Sequence, residues 1–105
     1  MMENTLPIAC TLSGAELEQR QKTTLHAVVA QAQETRALND GYAFRFQPGD
    51  TILEQIMSLI RKERKCCRFL QFDLRVAPDE GPIWLELTGP QGTGDFLRTT
   101  LELSA

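Results

Sequence analysis

The chain has 105 residues, the length of a single domain, with 42% hydrophobic and 24% charged residues, an ordinary globular composition. Its net charge of −3 excludes a global field that would draw it to nucleic acid or anionic lipid. No apolar run approaches the roughly 18 residues of a membrane span. The first residues, Met1 to Ile8, lack both the basic start and the apolar stretch of a secretory signal, so residues 1–6 read as a flexible tail of one domain. Three cysteines at irregular spacing do not form a disulfide framework, and they point to free thiols in a reducing cytoplasm.

In chain order, Ile8 to Leu12 alternates as a short strand with Cys10 inward. Ser13 and Glu16 form a capping box that opens a long helix. Its apolar stripe of Leu17, Leu25, Val28, Val29 and Ala32 carries it to about Leu38, where Asn39-Asp40-Gly41 stops it. His26 falls opposite that stripe and reads as a solvent residue. Tyr42 to Gln47 alternates as a strand, with Tyr42, Phe44 and Phe46 inward and Arg45 outward. A second capping box, Thr51 with Glu54, starts a helix to about Cys66. Phe69 to Val76 is the next strand, joined through the turn Pro78-Asp79-Glu80-Gly81 to a strand from Ile83 to Thr88. A short helix from Asp95 to about Leu101 closes the chain.

This order, β-α-β-α-β-β-α, predicts an α+β two-layer sandwich: a mixed four-stranded sheet with helices on one face. The outer face would carry Arg45, Asp73, Arg75, Trp84 and Glu86. A tryptophan there, where Ile83, Leu85 and Leu87 already supply the core side, suggests a homodimer through the sheet around Trp84; a covering segment is the alternative.

The chemistry concentrates in residues 61–72, RKERKCCRFLQF. On a helical wheel, Ile52, Ile56, Leu59 and Ile60 share a face that continues into Glu63, with Cys66 and Cys67 three and four residues further. A carboxylate in an apolar stripe is the informative exception, since buried glutamate is rare unless paired. Arg20 or Arg45 could pair with it as a purely structural acid. Arg61, Lys62, Arg64 and Lys65 fall away from the stripe. Nearby cations favour thiolate, and a helix C-terminus opposes it. Soft thiolates select mercury, copper or zinc ions. Adjacent cysteines suit low-coordinate ions better than tetrahedral zinc.

Cys66, Cys67 and Cys10 are therefore candidate metal ligands, and Cys66, Cys67 and Glu63 are candidate catalytic residues if the chain is a thiol enzyme. The bland alternative is that the cysteines only pack a core. Gly89-Pro90-Gln91-Gly92-Thr93-Gly94 lacks the lysine of a P-loop and reads as a loop with a helix cap at Thr93 or Asp95. The basic run has no interleaved aromatics, so nucleic acid is not an expected partner, nor is a membrane.

The stretch Glu63-Arg64-Lys65-Cys66-Cys67-Arg68-Phe69 resembles a small, uncharacterised family of bacterial proteins with a Glu-Arg-x-Cys-Cys-x-Phe signature, loosely associated with heavy-metal resistance. The resemblance extends to Cys10 and to Trp84 ahead of Leu-x-Leu-Thr-Gly-Pro. Many members have proline where this chain has Arg68. The element order also resembles that of small sulfur-carrier proteins, but their Cys-Pro-x-Pro is replaced here by Cys10-Thr11-Leu12-Ser13.

Overall fold

The structure, a computed structural model, describes residues 24–103. The expected strand over 8–12 and the Ser13 capping box lie outside the described residues, as does Cys10. Residues 24–29 are helical (α1) and place Leu25 and Val28 in the core. Then come β1 (Glu34–Leu38), β2 (Gly41–Phe46), α2 (Asp50–Cys66), β3 (Gln71–Val76), β4 (Ile83–Thr88) and α3 (Thr93–Leu101). The class is α+β, with one four-stranded sheet in the order β1-β2-β4-β3.

The helix expected to run to Leu38 ends earlier, and residues 34–38 form an edge strand paired with β2. Asn39-Asp40-Gly41 is therefore a hairpin turn and not a helix stop, with Asp40 in the left-handed region at φ 62°. Gly41 is required by contact: a Cβ on it would collide with the Leu87 carbonyl oxygen and with Thr88 across the β2–β4 ladder.

Among the described residues all neighbouring strands are antiparallel, which corrects the expected mixed sheet. The β2 and β3 strands, joined by α2, run the same way but are separated by β4, so the crossover is split. Tyr42, Phe44 and Phe46 face Leu87, Leu85 and Ile83 across the ladder, and all six are buried. They share one core cluster with Ile52, Ile56 and Leu59 of α2 and Leu97 and Leu101 of α3, so the helices cover one face of the sheet. At the β3 edge this layer thins: Phe72 and Leu74 are half-buried, and Val76, which shares their alternation, is 55% exposed.

Helix starts differ from the sequence reading. α2 begins after Gly49 and α3 after Gly92, neither with a side-chain cap, so Thr51 and Asp95 do not cap. Asp95 pairs with Arg98 instead. The third strand starts at Gln71, leaving Phe69 and Leu70 as buried loop residues.

In the β3–β4 turn, Asp79 (φ 60°) and Glu80 (φ 53°) are both left-handed, and the Gly81 amide donates to the Pro78 carbonyl at 3.1 Å. Two left-handed central residues favour asparagine, aspartate and glycine. Glu80→Gly is expected to raise stability by about 0.5–1 kcal/mol in a denaturant titration, because the left-handed penalty outweighs the entropy cost of glycine.

Candidate functional site

The site forms where α2 ends. Ile52, Ile56, Leu59, Glu63 and Cys66 are the buried residues of this helix, spaced as one stripe. The stripe therefore delivers Glu63 into the same layer as the core, where its exposure is only 2%. Arg61, Lys62, Arg64 and Lys65 lie exposed around it. The wheel derived from the sequence holds at every one of these positions.

Cys67 caps the helix, its amide donating to the Glu63 carbonyl at 2.7 Å, and the Leu70 amide donates back to the Cys67 carbonyl at 3.0 Å. This tight exit turns Cys67 inward beside Cys66; the two are 2% and 4% exposed, and neither is in a disulfide. Phe69 anchors the exit by packing edge-on against Phe96 of α3, with ring centres 5.2 Å apart. From the other side, the chain at Gly89 approaches the Phe69 carbonyl so closely that a Cβ there would stand 2.9 Å from its oxygen. Gly89 thus serves packing against the cysteine loop. The Thr93 hydroxyl donates to the Pro90 carbonyl at 2.7 Å, which accounts for the rest of the glycine-rich segment as a helix entry.

Glu63 is electrostatically unusual. Among the described residues its Oε2 is buried without a hydrogen-bond partner. Burial raises its pKa above the ordinary 4.5, opposed by a side-chain hydrogen bond with Cys67 and by the charge of Lys62. That bond helps the charged form, which is what a thiol donating to a carboxylate does. Arg45, one of the partners considered for a structural ion pair, projects from the opposite face of the sheet, and Arg20 lies outside the described residues.

The structure thus brings Glu63, Cys66 and Cys67 into one buried segment, with Glu63 and Cys67 in direct contact. Among the described residues, no group of three His, Cys, Asp or Glu side chains could hold a metal ion together. His26 is half-buried rather than a plain solvent residue. Sequence reasoning missed the supporting shell of Phe69, Phe96 and Gly89, which depends on contacts between residues 20 and 27 positions apart.

A pocket of about 400 Å³ lies elsewhere, between the β1–β2 turn and the start of α3, lined by Asp40, Tyr42, Gln91, Gly92 and Asp95 among others. Asp40 accepts from the Gly92 amide at 3.4 Å, and its negative charge at the helix start disfavours an anion there. No helix of the described residues is long and apolar enough to cross a membrane. Compared with known proteins, the chain matches no family model, no curated protein and no solved structure.

Proposed function

We propose that this chain is a cytoplasmic thiol-site protein in which Cys66 and Cys67 bind a soft metal ion and Glu63 accepts a proton as they do. The observation that carries this reading is the burial of an acid, with one oxygen unpartnered, against an adjacent pair of thiols. The resemblance of residues 63–69 to a family loosely associated with heavy-metal resistance points the same way.

Physical chemistry narrows the choice between ligation and redox pairing. Adjacent Cα atoms are about 3.8 Å apart, whereas disulfides ordinarily span about 4.4–6.8 Å. A bond between Cys66 and Cys67 would be strained and easily reduced, so the pair favours remaining as thiols in a reducing cytoplasm. Two adjacent thiols, with no third ligand converging on them among the described residues, match a low-coordinate ion such as mercuric or cuprous ion better than tetrahedral zinc. Cys10 is a candidate third ligand outside the described residues.

Binding through both sulfurs displaces two thiol protons, of which that of Cys66 passes to solvent. The proton of Cys67 has an acceptor beside it in the Glu63 carboxylate. Transfer neutralises a buried negative charge, and the resulting thiolate charge is met by the cation. The burial that raises the Glu63 pKa is therefore what makes it an effective acceptor. Arg61, Lys62, Arg64 and Lys65 add positive potential that helps thiolate form at a helix end whose dipole opposes it.

Alanine at both Cys66 and Cys67 is expected to abolish stoichiometric binding of mercuric and cuprous ion under reducing conditions, read by competition with a chromophoric chelator. Either single variant is expected to lose at least about tenfold in affinity, since one thiolate of a two-coordinate site is gone. Undiminished binding by the folded double variant would end this reading.

A further inference from the structure

The face of the sheet that no described helix covers carries a charge pattern that is complementary to itself. One row across the strands β1, β2, β4 and β3 reads Glu34, Arg45, Trp84, Arg75; the next reads Arg36, Ala43, Glu86, Asp73. Asp73 and Glu86 are direct cross-strand neighbours of like charge, an arrangement that costs stability in an isolated sheet. Arg36 meanwhile pairs with Glu34 of its own strand through Nε and leans across Ala43, whose small side chain lets the guanidinium reach over the Trp84 ring at 4.9 Å from its centre. Trp84 and all the charged residues of both rows keep solvent exposure, while Ala43 lies buried beneath this arch.

We infer that this face pairs with the same face of a second copy, about a two-fold axis parallel to the strands and midway between β2 and β4. That rotation lays β1 over the copy's β3 and β2 over the copy's β4. The Glu34–Arg36 ion pair then extends into a four-charge network, Glu34 meeting Arg75 of the second copy and Arg36 meeting Asp73, while Arg45 meets the open side of Trp84. Ala43 falls opposite Glu86, so the Arg36 arch that spans it comes down on the Asp73–Glu86 acid pair. Each contact occurs twice, as an isologous interface requires. The natural twist of the two sheets gives an aligned sandwich with faces about 10 Å apart. A two-fold axis perpendicular to the strands would also pair Glu34 with Arg36, but it sets the Trp84 ring against a carboxylate and leaves Arg45 on Ala43.

Charge reversal tests both the partner and the register. Glu34 and Arg75 lie on opposite sheet edges, three strand spacings or about 14 Å apart, so within one chain they cannot compensate each other. In sedimentation at low ionic strength, the wild type is expected to dimerise and to dissociate as salt screens the pairs. Arg75→Glu and Glu34→Arg, each introducing a like-charge contact twice per dimer, should each weaken the dimer by at least about tenfold. The variant carrying both changes should regain wild-type association. Circular dichroism melts establish that each exposed-edge variant remains folded. A monomeric wild type, or single variants that dimerise as well as wild type, overturns the inference. So does recovery with Glu34→Arg/Arg36→Glu in place of Glu34→Arg/Arg75→Glu, because it selects the other axis. Because Cys66 and Cys67 lie on the other side of the sheet, metal binding should be unchanged throughout.

Discussion

Glu63→Gln is expected to stabilise the protein at pH 8 by about 1–3 kcal/mol, the usual cost of a buried polar group left without its partner. Near pH 4.5 it should leave stability almost unchanged. Burial raises the folded-state pKa of Glu63 above the ordinary 4.5, so over an interval of pH the folded protein keeps a proton that the unfolded chain has released. A group of this kind favours the folded state fully below its unfolded value. Its contribution is lost as pH rises through the folded value, after which the dependence levels off. Glutamine never ionises, yet its carbonyl still accepts from the Cys67 thiol. The difference between the two proteins should therefore grow with pH above 4.5 and then reach a plateau. Urea titrations of both proteins at half-unit steps from pH 4 to 8.5 measure that difference directly, and the other titrating groups cancel. Parallel stability curves would mean that Glu63 meets water or a cation and titrates as an ordinary surface acid. If the variant is more stable and also binds mercuric ion more weakly, the acid is kept for its chemistry at the expense of stability.

Gly41→Ala is expected to destabilise by about 2–4 kcal/mol, near the upper end for a single methyl group. The added carbon would meet backbone atoms, the Leu87 carbonyl oxygen and the Thr88 Cα, as well as the Thr88 methyl. Backbone in the centre of a sheet cannot step aside as a flexible side chain can, so β2 and β4 would have to separate where Gly41 pairs with Thr88. Gly49→Ala is the matched control. That glycine has an extended backbone at φ 169°, and its added carbon would make only an ordinary 3.8 Å contact with Ile52. It should be close to neutral, because the smaller entropy of the unfolded chain is offset by the poorer helix cap that alanine makes. Equal midpoints for the two variants in chemical denaturation would contradict the close β2–β4 approach.

The turn at Asn39-Asp40-Gly41 also shows where a one-dimensional reading loses information. Asn-Asp-Gly after an apolar stripe stops a helix as readily as it closes a hairpin, and the local chemistry is the same in both. Residues 34–38 alternate weakly and contain two charged side chains, so no period-2 signal separates them from the preceding helix. They form a strand because β2 offers an edge, a choice settled by pairing and not by propensity. The helix caps failed for a related reason. Thr51 and Glu54 have a capping-box spacing, but packing sets the start of α2 one residue before Thr51, at Asp50.

What the sequence determined by itself is whatever a strong period carries. Ile83 to Thr88 is a strand at the expected residues, and Tyr42, Phe44 and Phe46 are buried as alternation requires. Most informative is α2, where 3.6-residue geometry alone placed Glu63 and Cys66 inward among exposed cations. The wheel also aimed Cys67 inward, and only the tertiary structure decided how that residue, one position beyond the helix, is held there by Phe69 against Phe96 and by the close approach at Gly89. It alone also decided that β4 lies between β2 and β3, aligning Glu34, Arg45, Trp84 and Arg75 in one row. Periodicity is a local property of neighbouring residues, and it survives any arrangement of the elements. Strand order and loop contacts join residues distant in sequence, and the folded chain selects them by the burial and pairing they complete together.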